Sequence, residues 1–482
     1  MRARNLTTTN SNLLGAANAA IQSRGAELRK ELGLADLLLI QILLVIVPEF
    51  LGTAVKAGPS HVVLWLLAII LFFIPQAFVV VHLNRLMPLE GGFYEWARLA
   101  FNDRIGFLVA WNFWLSTTVQ VAQVALVTAT YITYAAGPRA DWVASNRWFL
   151  LALSLALMAA MVLVARVGLR LGKWISSAGS VLTLFIITAL VVMPWLHLKR
   201  GAMPAYHPLQ LVIPPLSLFS LSVFAKMTFG ALSGFEMVAI FAGESRSPGR
   251  NIARATLFAA PIIALLYIFG TSSILAFVSP SDVDIIGPVP QALSRGFGFS
   301  HLASLIVPIA ILFLLTNYLA SYVTYFSCNA RLPMVAGWDH LLPRWFTRLH
   351  ERHKTPVNSI LFMAGVAFVA SLGAIVGVGN QESFALLQIW TWTFYGLTYL
   401  VMFAIPLIAH KELGIRPGFV LRIAAASGFL VTLLFVLLSV FPIIKVESQL
   451  AYTLKTVAVV VGANAFGFLL YQFGKRHRTN TA

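Results

Sequence analysis

Apolar residues run along this chain in blocks of about twenty, with polar and basic residues gathered in the short links between them. The blocks fall at residues 35–56, 61–84, 105–134, 147–165, 174–196, 216–242, 254–279, 300–327, 358–378, 383–409, 418–442 and 451–473. A hydrocarbon core about 30 Å thick takes about 20 apolar residues per helical span, so the pattern predicts twelve transmembrane helices. A membrane barrel would show alternating segments of about 10 residues instead. The longest link, residues 328–357, is too short for an independent domain and reads as one or two surface helices.

Two blocks differ from the rest. The first carries Val47-Pro48-Glu49-Phe50-Leu51-Gly52-Thr53 in mid-span, and the sixth carries Lys226, Gly230, Ser233, Gly234 and Glu236. Each combines helix breakers with ionisable groups. Spans one and six are equivalent if the first ten spans form two five-span repeats, and an odd number of spans turns the second copy upside down. The fold expected is thus all-α and polytopic, a 5+5 inverted repeat with helices 1 and 6 broken. Residues 35–409 form the transport core, in repeats of about 35–196 and 216–409, and residues 418–473 add two helices. Residues 1–34 and 474–482 are the tails.

Composition agrees with a membrane origin for the pattern. Hydrophobic residues make up 59% of the 482 and charged ones 11%, well under the roughly 25% of soluble domains, and the mean hydropathy is +0.84. The net charge of +17 would suggest nucleic acid in a soluble protein, but membrane proteins concentrate Lys and Arg in cytoplasmic loops. With the N-terminus inside, 25 basic residues fall on the cytoplasmic side and eight on the other, leaving Lys226 inside the bilayer. Both termini are therefore expected in the cytoplasm and the protein in the cytoplasmic membrane, with no nucleic-acid partner. No cleaved signal peptide is read in the polar first 34 residues, where Leu13 to Leu28 forms either an amphipathic surface helix or a tail. The single cysteine, Cys328, excludes an intramolecular disulfide.

A charge at the bilayer centre costs on the order of 3 kcal/mol. Glu49 and Glu236 are therefore candidates for proton coupling, because burial disfavours the charged carboxylate; alternatively each bonds free amides at its helix break. Lys226, almost three turns before Glu236, is expected nearer the extracellular mouth, either snorkelling or pairing with a substrate carboxylate or a membrane glutamate. Opened helices expose amides and carbonyls. Amides near Gly52 and Thr53 would suit a substrate carboxylate, and carbonyls around Phe229, Gly230 and Ala231 its ammonium, with Ser233 and Gly234 permitting the break. Small residues in membrane helices also serve close packing. In span three Asn112, Ser116, Gln120 and Gln123 share a face that lines the cavity or bonds a neighbouring helix. Gln388, Trp390 and Tyr395 of span ten are candidates to cap the site.

No phosphate loop, nucleophile elbow or metal-ligand cluster is present, so enzyme activity, ATP-driven transport, cofactors and metals are not expected.

Three motifs carry a resemblance. Leu89-Glu90-Gly91-Gly92-Phe93-Tyr94-Glu95-Trp96, then Ser233-Gly234-Phe235-Glu236 with Gly243-Glu244-Ser245-Arg246-Ser247-Pro248-Gly249-Arg250-Asn251-Ile252, then Arg331-Leu332-Pro333-Met334 with Asp339 and Leu342-Pro343 resemble the amino acid/polyamine/organocation transporter superfamily. The resemblance implies the leucine-transporter-type fold, with substrate between spans one, three, six, eight and ten. Val45-Ile46-Val47-Pro48-Glu49-Phe50 replaces the glycine-serine-glycine run usual in span one. With Phe73-Ile74-Pro75 and Ser247-Pro248-Gly249-Arg250, it is closer to the glutamate/GABA antiporter branch. The superfamily's coupling lysine of span five corresponds about to Thr183 and is absent. Its sodium-site hydroxyls would be sought among Thr316, Ser321 and Thr324, and its sixth-span aromatic gate at Phe229.

The function expected is secondary active transport of a small molecule, an amino acid or related amine, by alternating access, proton-coupled or by exchange. The alternatives are a glutamate-type or polyamine antiporter and, in another class, a sensor that binds without translocating.

Overall fold

Backbone amides that meet no water must be bonded within the chain, and a helix does this locally. The computed structural model describes residues 33–87, 92–167, 170–199, 210–236, 248–297, 303–330, 332–335, 344–350, 355–409 and 417–481. Among these the chain is all-helical, with no strand. Nine helices of the described residues are long and apolar enough to cross a membrane, and Leu182–Leu198 and Leu218–Leu232 are shorter apolar helices. The segment Leu13 to Leu28 and parts of all three superfamily-like motifs lie outside the described residues.

The first block is two helices, α1 (Leu34–Val45) and α2 (Glu49–Val55). Pro48 separates them, since its ring supplies no amide donor. The second block is α3 (His61–Ala68) and α4 (Ile74–Leu86), joined by a π turn at Ile69–Phe73. Pro75 follows that turn and again withholds a donor. An amphipathic helix, α5 (Phe93–Ala100), then leads to α6 (Asp103–Val121), which is capped by the Asn102 side chain accepting from the Ile105 amide at 3.0 Å.

The third block, read as one span, is in fact interrupted. It ends at Val121 and resumes as α7 (Val124–Ala136), with tight turns from Ala122 N to Val119 O and from Gln123 N to Gln120 O. The chain continues through α8 (Arg147–Val167), α9 (Arg170–Lys199), α10 (Leu218–Leu232) and α11 (Pro248–Phe277). A helix absent from the hydropathy pattern, α12 (Pro288–Gly296), stands between α11 and α13 (Ala303–Asn329). Its polar average hides it, although most of its residues are buried. Two short helices, Leu332–Val335 and Arg344–Thr347, match the expected surface elements of the long link. The last four long helices are α14 (Val357–Ile375), α15 (Asn380–Ala404), α16 (Phe419–Leu438) and α17 (Gln449–Thr481). The helix α17 runs on through the basic run Lys475 to Arg478, past the expected end at residue 473.

Packing brings the broken segments to the centre. The helices α1 and α2 lie against α11, and α2 also touches α10 and α12. Helix α6 packs along α15 and α14, and α13 along α9 and α7. Large apolar side chains such as Leu155, Phe185, Leu257, Phe258 and Leu305 stay exposed on the outer faces, where lipid replaces a protein neighbour.

Candidate functional site

The first break runs from Val45 to Pro48 and is held open by a tyrosine. The Val47 amide donates to the Tyr267 hydroxyl at 3.0 Å, and that hydroxyl donates to the Val45 carbonyl at 2.9 Å. Both groups lost their helical partners at Pro48, so one phenol from α11 satisfies the gap. Trp65 stacks on the same ring, with centroids 4.8 Å apart, and fixes it.

The second expected break falls where α10 ends, at Leu232. Ser233 is extended and Gly234 has φ +117°, a conformation that costs a side chain dearly and glycine nothing. The Ser233 amide and hydroxyl both donate to the Phe229 carbonyl, at 3.2 and 2.6 Å. The Gly234 amide donates to the Tyr399 hydroxyl at 2.7 Å. The carbonyls of Gly230, Ala231 and Leu232 are those that a helix end leaves without intrahelical donors.

The two glutamates have opposite surroundings. Glu236 is buried and accepts from both Tyr395 and Tyr399 hydroxyls. Gln76 donates in turn to the Tyr399 oxygen at 2.9 Å, so the carboxylate belongs to a closed network. Glu49, at 1% exposure, makes no hydrogen bond of good geometry on either carboxylate oxygen. The Tyr318 phenol lies within its reach.

Glu49 faces a chamber of about 100 Å³ whose walls include Gln120, Tyr131, Asn317, Tyr318 and Tyr322. A second chamber, about 50 Å³, lies between the breaks and is lined by Val47, Ser116, Gln120, Ser233, Gly234 and Tyr395. The two share Val47, Gln120 and Tyr325 and therefore adjoin. A third space of about 30 Å³ holds Thr53, Lys226, Gln388, Trp392 and Tyr452.

The expected residues thus divide by place. Glu49, Ser116, Ser233 and Gly234 meet at the paired chambers. Gly52 and Thr53 do not open the first break, contrary to expectation. They lie inside α2, one turn past a gap that Pro48 makes. A Cβ on Gly52 would stand 3.1 Å from Pro288 of α12, so its smallness serves that contact. Gly230 likewise admits the Phe50 ring, with which a Cβ there would overlap.

Lys226 is buried, with its amine bonded to the Phe441 carbonyl, so it does not snorkel to an exposed interface. The shared face expected for span three is also broken up. Asn112 donates to Asn464 of α17 at 2.7 Å, while Gln123, past the interruption, donates to Thr391 at 3.3 Å. Phe229 packs among Phe72, Tyr399 and Phe435 and lines neither chamber. Thr183 does face the Glu49 chamber and accepts from Asn317 at 2.8 Å. Thr316 and Thr324 bond back to their own helix, while Ser321 lines the chamber.

Several residues escaped the sequence reading. Tyr318, Tyr322 and Tyr325 stand at i, i+4 and i+7 of α13 and form a hydroxyl stripe facing Glu49; that spacing in an apolar span was the available signal. Trp392, rather than Trp390, lies between the inner and outer spaces, edge-on to Phe50 with centroids 5.1 Å apart. Nothing local distinguishes the two tryptophans.

A broken helix, α1 with α2, and the end of α10 meet at a polar space within an all-helical bundle of apolar spans, an arrangement suited to a membrane transporter. The family model described as amino acid permease matches residues 32–463, and the chain belongs to that family. It is a multi-pass membrane protein that acts on a small molecule. An uncharacterised transporter of Legionella pneumophila is 27% identical over 344 residues, 70% of this chain and 72% of that protein. A probable agmatine/putrescine antiporter of Lactococcus lactis is 22% identical, covering 79% and 78% of the two chains. The lysine-specific permease of Escherichia coli is 26% identical over 77% and 74%.

Proposed function

We propose that this permease is a secondary active transporter of amino acids or related amines that works by alternating access, through proton coupling or exchange. The observation that carries this reading is the meeting of the first helix gap, at Val47, with the end of α10, at Ser233 and Gly234, in one chamber. In this reading twelve spans sit in the cytoplasmic membrane with both termini inside, and the first ten form two inverted five-span repeats. Rocking of one repeat against the other would expose the chamber to each side in turn. Glu49 is the group that gains and loses a proton, since it has space and no hydrogen bond of good geometry. Glu236, tied to two phenols, couples the second gap to α15.

The polyamine antiporter reading is favoured over the glutamate-type one by the same carboxylate. A buried Glu49 repels an acidic substrate and attracts an amine. The antiporter of Lactococcus lactis, named for agmatine and putrescine, supports this direction.

Reconstituted vesicles test the proposal. Radiolabelled lysine, putrescine or agmatine should accumulate in vesicles preloaded with unlabelled compound or under an imposed pH gradient. Uptake into empty vesicles without a gradient separates a uniporter from an exchanger. Binding without any flux would make the chain a sensor and overturn the transport reading.

A further inference from the structure

We infer that the Glu49 chamber is an ammonium subsite and that the molecule it selects is a primary alkylamine rather than an amino acid, a conclusion that rests on the transport reading. A primary ammonium has three donors and no acceptor, and the chamber offers what such a group lacks. Neither oxygen of Glu49 makes a hydrogen bond of good geometry, with only the Tyr318 phenol in reach; the Asn317 Oδ1 is unbonded while its amide nitrogen donates to Thr183, and the Tyr322 hydroxyl is unbonded. All three residues line the same space. Tyr131 and Tyr318 complete the wall.

The absence of a counter-charge selects against the carboxylate of an amino acid. Among the described residues lining either chamber there is no lysine, arginine or histidine. The nearby cation, Lys226, lies in the separate outer space with its amine bonded to the Phe441 carbonyl. A zwitterion seated at an ionised Glu49 would thus bring a second negative charge beside the first with no cation lining the space. The helix α2, only seven residues long and headed by Pro48, offers no amide cluster to receive it.

Glu236 does not compete for the ammonium, because both its oxygens accept from phenols. The adjoining chamber presents Ser116, Thr117, Ser233 and Thr391 with the aromatic Trp392 and Tyr395. A linear chain anchored at Glu49 can extend past Gln120 and Tyr325 into it and place a second amine or a neutral polar end among these groups.

Cadaverine and lysine share a carbon chain and differ by one carboxylate, which makes them the probes of choice. Binding to the purified full-length protein in lipid nanodiscs at pH 7.5, with flux in vesicles measured in parallel, gives two separate readouts. Cadaverine should bind at least ~10-fold tighter than lysine, and Glu49→Gln should weaken cadaverine ~30-fold or more, as loss of a buried charge pair does. Asn317→Leu and Tyr322→Phe should each weaken it ~3-fold to ~10-fold, and they carry the test if Glu49→Gln does not fold. Lysine binding as tightly as cadaverine, or cadaverine affinity unchanged in these variants, would overturn the subsite while flux of lysine left the transport reading standing. No flux of any compound in wild-type vesicles would overturn both.

Discussion

Tyr267 stands in the gap of the first broken helix, receiving the amide of Val47 at 3.0 Å and giving its proton to the carbonyl of Val45 at 2.9 Å. Tyr399 plays a matching part at the second gap, where it receives the amide of Gly234 at 2.7 Å. A phenol from a different helix thus binds backbone groups at each discontinuity, an amide and a carbonyl at the first and an amide at the second.

Removing that hydroxyl leaves a buried donor and acceptor unpaired. Tyr267→Phe is expected to destabilise the protein by about 1–3 kcal/mol and to depress transport, as measured by thermal unfolding in nanodiscs and by flux. A Tm equal to the wild type would show that other groups or solvent satisfy the gap.

Glu49 can hold a proton or an ammonium but not both. Cadaverine binding should weaken as the pH is lowered, because the proton displaces the amine from the carboxylate. The titratable groups around Glu49, namely Tyr131, Tyr267, Tyr318, Tyr322 and Tyr325, are all phenols, which ordinarily stay uncharged across this range. Glu49→Gln should flatten the pH profile of cadaverine binding, whereas Glu236→Gln should lower stability and leave the profile's shape alone. A flattened profile in Glu236→Gln alone would reverse the two roles.

Gly230 and Phe50 join the broken helices where they cross. Phe50 is 3% exposed and braced by Trp392, so its ring cannot retreat easily from a new methyl group. Gly230→Ala should cost about 1–3 kcal/mol by overpacking, and Phe50→Leu should recover part of the loss in the double variant. Additive losses in thermal unfolding would mean the two positions are independent.

Asn112 is bonded to α17, not to the chambers. Asn112→Leu should cost about 0.6 kcal/mol, the usual size of an interhelical bond in a membrane, with the Kd for cadaverine unchanged. A tenfold change in that Kd would return Asn112 to the binding site.

The gap at Pro48 and the helix end at Gly234 were legible because proline withholds an amide donor and glycine admits a positive φ, although Gly52, Gly230, Pro194, Pro261 and Pro308 stand inside helices. The exact opening of the first break was not, since Gly52 looks like a breaker until Pro288 is seen against it. Glu49 and Glu236 were equally visible as buried carboxylates, yet their difference lies entirely in partners remote in sequence. Tyr395 and Tyr399 are some 160 residues beyond Glu236, and no local pattern reports such a pairing. The interruption of span three at Ala122 and Gln123 has no proline or glycine to announce it.

The π turn at Ile69–Phe73 acts as a phase shift. One added residue turns everything after it by about 100° relative to an uninterrupted α-helix. Phe73 meets Phe235 with centroids 4.5 Å apart, and Gln76 meets Tyr399, only because of that rotation. Deleting a single residue from this turn would leave a continuous span just as apolar as before, yet turn Gln76 away from Tyr399 and strip a donor from the network around Glu236. The loss would be one of angle alone, invisible to hydropathy.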